Sequence, residues 1–180
     1  MRIASALLSS VAVASVVALA GAMPASATPA DFHLTTANGP LTVYNPELVP
    51  DGTRAHVFAL SALGTTTVLS VYGLLPNHEY GAHAHAKACG ATGDVAGPHF
   101  QYHPDPVLPS VDPTYANPRN EVWLDFTTDR LGIGVAVSRV GWTFGERRAK
   151  SVVIHETHTH TDPGHAGTAG ARLACLDVDF

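Results

Sequence analysis

The last nine residues, RLACLDVDF, place Ala174, Leu176, Val178 and Phe180 on one side of an extended chain and Cys175, Asp177 and Asp179 on the other. This is the period-two alternation of a half-buried strand. Similar short runs of Val, Leu, Thr and aromatic residues recur between turn residues. They predict strands over Asp31–Thr36, Thr42–Leu48, Arg54–Leu63, Thr65–Leu74, Glu79–Ala86, Asn120–Thr127, Gly132–Val137, Ser151–His155 and Arg172–Phe180. "DRLG" (Asp129 to Gly132) and "SALGT" around Gly64 read as hairpin turns. No long helical periodicity and no internal repeat interrupt this pattern. Short, evenly spaced strands predict an all-β chain, an antiparallel barrel or sandwich that is closed or nearly so.

Two segments break the alternation. Gly90 to Pro118 is dense in Gly, Pro, Asp and His and carries Pro104, Pro106, Pro109, Pro113 and Pro118. The second, "ETHTHTDPGHAGTAGA", follows His155. Structureless loops of such length inside a compact domain are usually functional. At the other end, Arg2 precedes a small-residue apolar run, and "ASA" (Ala25 to Ala27) offers a cleavage site. Residues 1–27 read as a secretory signal, with a membrane anchor as the competing reading. The Ala- and Ser-rich composition and the lack of a basic flank favour the signal.

Residues 28–180 then form one domain of 180 − 27 = 153 residues. Without Arg2, 9 basic residues face 15 acidic ones, a balance of −6 with histidines neutral. That charge argues against nucleic acid or an anionic membrane as a general partner. All 11 histidines fall after residue 27. The two cysteines, Cys89 and Cys175, pair most simply with each other in an oxidising compartment; a free thiol or an intermolecular bridge is the alternative.

The chemistry concentrates in "GAHAHAKAC", Gly81 to Cys89. On a strand, His83 and His85 share one face while Ala82, Ala84 and Ala86 face the other, and two imidazoles side by side make half of a metal site. "GPHF" adds His99, "SVVIHE" adds His155, and "GARLAC" adds Arg172. Imidazoles with a nearby guanidinium and no thiolate ligand suit copper.

Taken in order, Gly81-Ala82-His83-Ala84-His85, Cys89, Gly97–Phe100, Val153–Glu156 and Arg172–Cys175 resemble the signature of the copper/zinc superoxide dismutase family, from about Thr65 to Phe180. The resemblance implies an eight-stranded antiparallel Greek-key β-barrel with the metal outside its wall, under two long loops. It implies His83, His85, His99 and His155 as copper ligands, Arg172 as the residue guiding superoxide, His99 also as a proton carrier, and Cys89–Cys175 as the disulfide. The zinc half of the family pattern is missing. After His99 only His103 precedes His155, which leaves His103 as a weak zinc candidate beside loose acids. The chain therefore resembles the copper-only, secreted branch, with copper as cofactor and zinc absent. Some carboxylate must then take zinc's place on the outer nitrogen of His99, and Glu121 or Asp125 is the expected one, directly or through water.

His33, His56 and His78 stand alone and read as structural, whereas His158, His160 and His165 read as solvent loop or as an accessory metal-capture segment. The function expected is a secreted superoxide dismutase, with superoxide as its small-molecule partner. A secreted copper-buffering protein on the same scaffold competes with it, and an extracellular interaction domain with incidental histidines is a third reading. Oligomeric state has no legible signal.

Overall fold

The computed structural model describes residues 32–180; the expected signal at 1–27 lies outside them. Nine strands form: β1 (His33–Pro40), β2 (Thr42–Val43), β3 (Arg54–Ser61), β4 (Thr65–Tyr72), β5 (Glu79–His85), β6 (Phe126–Thr127), β7 (Ile133–Val140), β8 (Ser151–His155) and β9 (Arg172–Asp177). They build two antiparallel sheets, one ordered β1-β3-β4-β7 and one ordered β2-β9-β8-β5-β6. Against the eight strands expected there are nine among the described residues, two of them only two residues long. The one helical element described is a single 3₁₀ turn, Gly93–Ala96.

The first sheet follows directly from the pattern. β3 alternates exposed Arg54, His56 and Phe58 with buried Ala55, Val57 and Ala59, and β4 and β7 alternate likewise. Val57, Leu69 and Val71 meet Tyr80, Ala82, Ala84, Val152, Ile154 and Leu176 of the second sheet in the main core. Each such aliphatic side chain, fully buried, contributes roughly 1.5–3 kcal/mol. Strand ends depart from expectation where side chains compete for the backbone. The predicted strand Thr42–Leu48 stops at Val43, because Asn45 Oδ1 accepts the amides of Glu47 (3.0 Å) and Leu48 (3.4 Å) and turns the chain. The predicted strand Asn120–Thr127 keeps regular pairing only at Phe126–Thr127. Upstream it still runs along β5 through Leu124 N to Ala82 O (2.7 Å) and Ala84 N to Val122 O (3.2 Å).

The second sheet is buried on both faces, and here simple alternation misleads. All five residues of β8 are buried. Cys175, expected to face outward, is 1% exposed, because its face of the sheet is covered: Val153, Cys175 and Ala96 make a second small cluster with Tyr44 and Cys89. The covering segment is the Gly90–Pro118 loop, stitched down by the Cys89–Cys175 disulfide (Cα–Cα 5.8 Å) and by Cys89 N donating to Asp177 Oδ1 at 2.7 Å.

The disulfide closes a sequence separation of 86 residues. Replacing both cysteines by alanine is expected to lower unfolding stability by roughly 4 kcal/mol on chain-entropy grounds. Urea unfolding of the oxidised protein beside the double variant measures it.

Candidate metal centre

β5 pairs with β8 so that Gly81 lies opposite His155, His83 opposite Val153 and His85 opposite Ser151. Ala82 and Ala84 fill the core, so His83 and His85 project from the outer face of the sheet. Val153 and His155 point the same way, and a register shift between Ile154 and His155 re-aims the latter. His99 arrives from the long loop, in a lone bridge with His85. One ring atom from each of His83, His85, His99 and His155 lies within 4.8 Å of all the others.

The hydrogen bonds around the rings decide which atoms these are. Thr159 Oγ1 donates to Asp125 Oδ1 (2.7 Å), so it accepts from His83 Nε2 (2.7 Å), and the buried His83 Nδ1 is left with no partner. His85 Nδ1 donates to the Gly97 carbonyl at 2.9 Å, freeing Nε2. His99 Nδ1 donates to Glu121 Oε2 at 2.8 Å, again freeing Nε2. His155 Nε2 lies 3.3 Å from His85 Nε2, and its Nδ1 is buried beside the Gly170 backbone, outside hydrogen-bond geometry. Three of the four tautomers are thus set from behind, those of His83, His85 and His99, and their unprotonated nitrogens converge on one point beside His155. Lone pairs facing one another in a buried place repel. A cation among them removes that repulsion, so these residues fit a metal ion.

The surroundings also keep His83, His85 and His155 neutral, as ligands must be. His83 is held well below the usual histidine range by burial first and then by the fields of His99, His155, His85 and Arg172. His85 is lowered by burial and then by His99, His155 and Arg172. His155 is lowered to about 3, by burial first, then His99 and Arg172.

Glu121, 1% exposed, is itself clamped: Trp123 Nε1 donates to Oε2 (2.6 Å) and Gln101 Nε2 donates to Oε1 (2.8 Å), beside His99. Asp125 does not reach His99. Four residues further along an extended chain, about 13 Å, it lies against Ala82, whose amide it accepts at 3.3 Å. It serves His83 instead, through Thr159. His103 is also apart: its amide donates to Asn120 Oδ1 (2.8 Å), its ring rests on Tyr102, and it lines a different cleft with Tyr115, Arg119 and Trp142. Thr159, Gln101 and Trp123 escape the sequence reading. Gln101 and Trp123 each lie two residues along an extended chain from His99 or Glu121, and that spacing was the available signal.

One side of the cluster opens into a cleft of about 660 Å³ lined by His99, His155, Arg172, Glu121 and Arg147 among others. Arg172 is half-buried, and one guanidinium nitrogen donates to the Gly93 carbonyl at 2.8 Å. His33 and His56 are exposed on the first sheet, and His78 caps its own turn against the Glu79 carbonyl (2.7 Å).

Two tests follow from this geometry. In the metal-free protein the folded state disfavours the charged forms of His83, His85 and His155, so unfolding takes up protons. Their contribution to stability is complete above about pH 6.5, the ordinary histidine value, and is lost as the pH falls from there toward about 3, where His155 titrates in the fold. Urea midpoints of metal-free protein between pH 7 and pH 4 should fall along that course, and at least as steeply when metal is bound, because the ion also holds the native rings unprotonated. Gly81 has no room for a side chain: a Cβ would collide with the Thr157 carbonyl and lie 2.9 Å from the Ala169 Cβ. Gly81→Ala is expected to cost about 1–3 kcal/mol and to weaken metal retention, read by thermal unfolding and by dialysis.

As a sequence the chain matches no protein-family model and no curated protein. As a structure it is similar to Cu/Zn superoxide dismutase from Brucella abortus, with TM-score 0.60 at 18% identity, over 82% of this chain and 100% of that one. It is also similar to a double mutant of a SOD-like protein from Bacillus subtilis, with TM-score 0.53 at 17% identity, over 81% of this chain and 97% of that one. The chain therefore has an all-β, superoxide dismutase-like fold with a four-histidine cluster that could bind a metal on the outer face of one sheet.

Proposed function

We propose that the protein is an exported, copper-dependent superoxide dismutase that works without zinc, on a Greek-key barrel whose walls are the two sheets. In this reading residues 1–27 are removed on export, and His83, His85, His99 and His155 hold the copper. The observation that carries it is the junction of the converging imidazoles with a cleft that also holds Arg172. Four nitrogen donors without thiolate suit an ion that passes between Cu(I) and Cu(II). Copper bound there would supply the alternating one-electron oxidation and reduction by which two superoxide ions and two protons become dioxygen and hydrogen peroxide.

The rest is the work of the chain. Arg172 uses one guanidinium nitrogen on Gly93 and keeps the others for an anion entering the cleft. In a protein of net negative charge this local positive field draws superoxide where the bulk charge does not. His99 carries a proton at Nε2 and gives it up toward peroxide, while Nδ1 stays on Glu121, so the ring does not turn. Glu121 thus stands where the zinc of a two-metal enzyme would be, which supports the zinc-free reading. Thr159 and Asp125 hold His83, and the Gly97 carbonyl holds His85.

The test is superoxide decay by pulse radiolysis with mature protein carrying one copper and no zinc. Fast catalytic decay that a copper chelator abolishes is expected. Tight copper with little decay would replace the enzyme by a copper-buffering protein, and a rate that appears only with added zinc would overturn the zinc-free reading. Arg172→Ala should keep its copper and lose roughly tenfold or more in rate; a full rate would remove that role. Glu121→Gln should lower copper affinity or rate by about 10–100-fold.

A further inference from the structure

The loop from Glu156 to Ala171 carries a second group of metal-binding side chains, apart from the buried cluster. Asp162 stands between His160 and His165: its Oδ2 lies 2.9 Å from His165 Nδ1 and its Oδ1 3.8 Å from His160 Nδ1, with the two rings 6.4 Å apart. All three are exposed, at 56%, 59% and 70% for His160, Asp162 and His165.

The backbone beneath them is fixed. His160 N donates to Thr168 O (2.8 Å) and Gly167 N to His160 O (2.9 Å), closing the loop on itself. His165 N donates to Asp162 O (3.1 Å), and Thr168 donates to His165 O through both its amide (2.9 Å) and its hydroxyl (2.7 Å). Gly164, at φ +85°, makes the reversal that brings His165 back toward His160. Side-chain torsions are therefore all that must adjust to accept an ion. Two nitrogen or oxygen ligands on one tetrahedral cation lie about 3.3 Å apart. The His165–Asp162 pair, now a hydrogen bond, is already inside that distance and the His160–Asp162 pair slightly outside it, while the two rings, 6.4 Å apart, have to turn toward each other to share an ion.

We infer that His160, Asp162 and His165 form a second cation site, which takes a borderline divalent ion, zinc(II) or copper(II), with its remaining position open to water. The donor set separates it from the cluster below. One carboxylate and two imidazoles suit these ions rather than Cu(I), whereas four buried imidazoles suit either copper state. His158 is tied by its Nε2 to the Phe126 carbonyl at 3.1 Å. The site shares a loop with Thr159, which holds His83, and with Gly167, where an added Cβ would sit 3.9 Å from His99 Nδ1. An ion joining His160 to His165 ties that loop together above the cluster.

The experiment is equilibrium dialysis of the mature protein, given one copper per chain, against micromolar zinc(II), with both metals counted. Wild type is expected to retain one zinc more than the His160→Ala/His165→Ala double variant, and Asp162→Asn to bind that zinc roughly tenfold more weakly. Equal zinc in wild type and double variant overturns the site. Where the double variant fails to fold, ¹⁵N-histidine spectra of wild type decide it. Zinc should shift the ring nitrogens of His160 and His165, and shifts confined to the four buried rings overturn it. Copper retention reads the buried cluster and the zinc difference reads the loop, so failure of the proposed function and failure of this site are told apart.

Discussion

The antiparallel register of β5 against β8 is the constraint on which the centre depends. It sets Gly81 against His155, at a place where the Thr157 carbonyl and the Ala169 Cβ leave no room for a side chain. A slip of one residue would turn His83 and His85 into the core and Ala82 and Ala84 out of it. The alanines therefore do as much to specify the site as the histidines. They are small enough to pass under the core residues of the facing sheet, and they leave the imidazoles no alternative face.

What the register brings together, the groups behind the rings then orient. A carboxylate holds His99, a hydroxyl relayed to a second carboxylate holds His83, and a backbone carbonyl holds His85. These are three different chemical solutions to one requirement, that the inward nitrogen be unprotonated. Burial enforces the same requirement by another route, because a charged imidazole has no water there. Glu121 is the costliest of these devices, a carboxylate almost without exposure, and three donors offset its desolvation.

Much of this was legible from local pattern. The period-two spacing of His83 and His85 predicts their shared face, and β8 spans the residues its apolar run predicts. What pattern could not reach depends on which loop covers which face. Cys175 alternates with core residues and so reads as outward, yet the Gly90–Pro118 segment buries it. Glu121 and Asp125 are indistinguishable as loose acids in sequence. They part only when pairing along β5 sends one to His99 and the other, through Thr159, to His83. Thr159 had no signal at all, being one threonine among several in a loop. His103 follows His99 closely in sequence, but its amide is taken by Asn120 and its ring by Tyr102, which sends it to another cleft.

The guanidinium of Arg172 is positioned by a loop rather than by its own strand. It leans on the Gly93 carbonyl, and Gly93 belongs to the segment stitched to β9 by the disulfide and by the Asp177 carboxylate. The same segment carries His99 and, through the Gly97 carbonyl, holds His85, so one sulfur bridge steadies the guanidinium together with two of the four imidazoles. Reduction of that bond would loosen the cleft and half of the cluster at once, while β5 and β8 keep His83 and His155 in register.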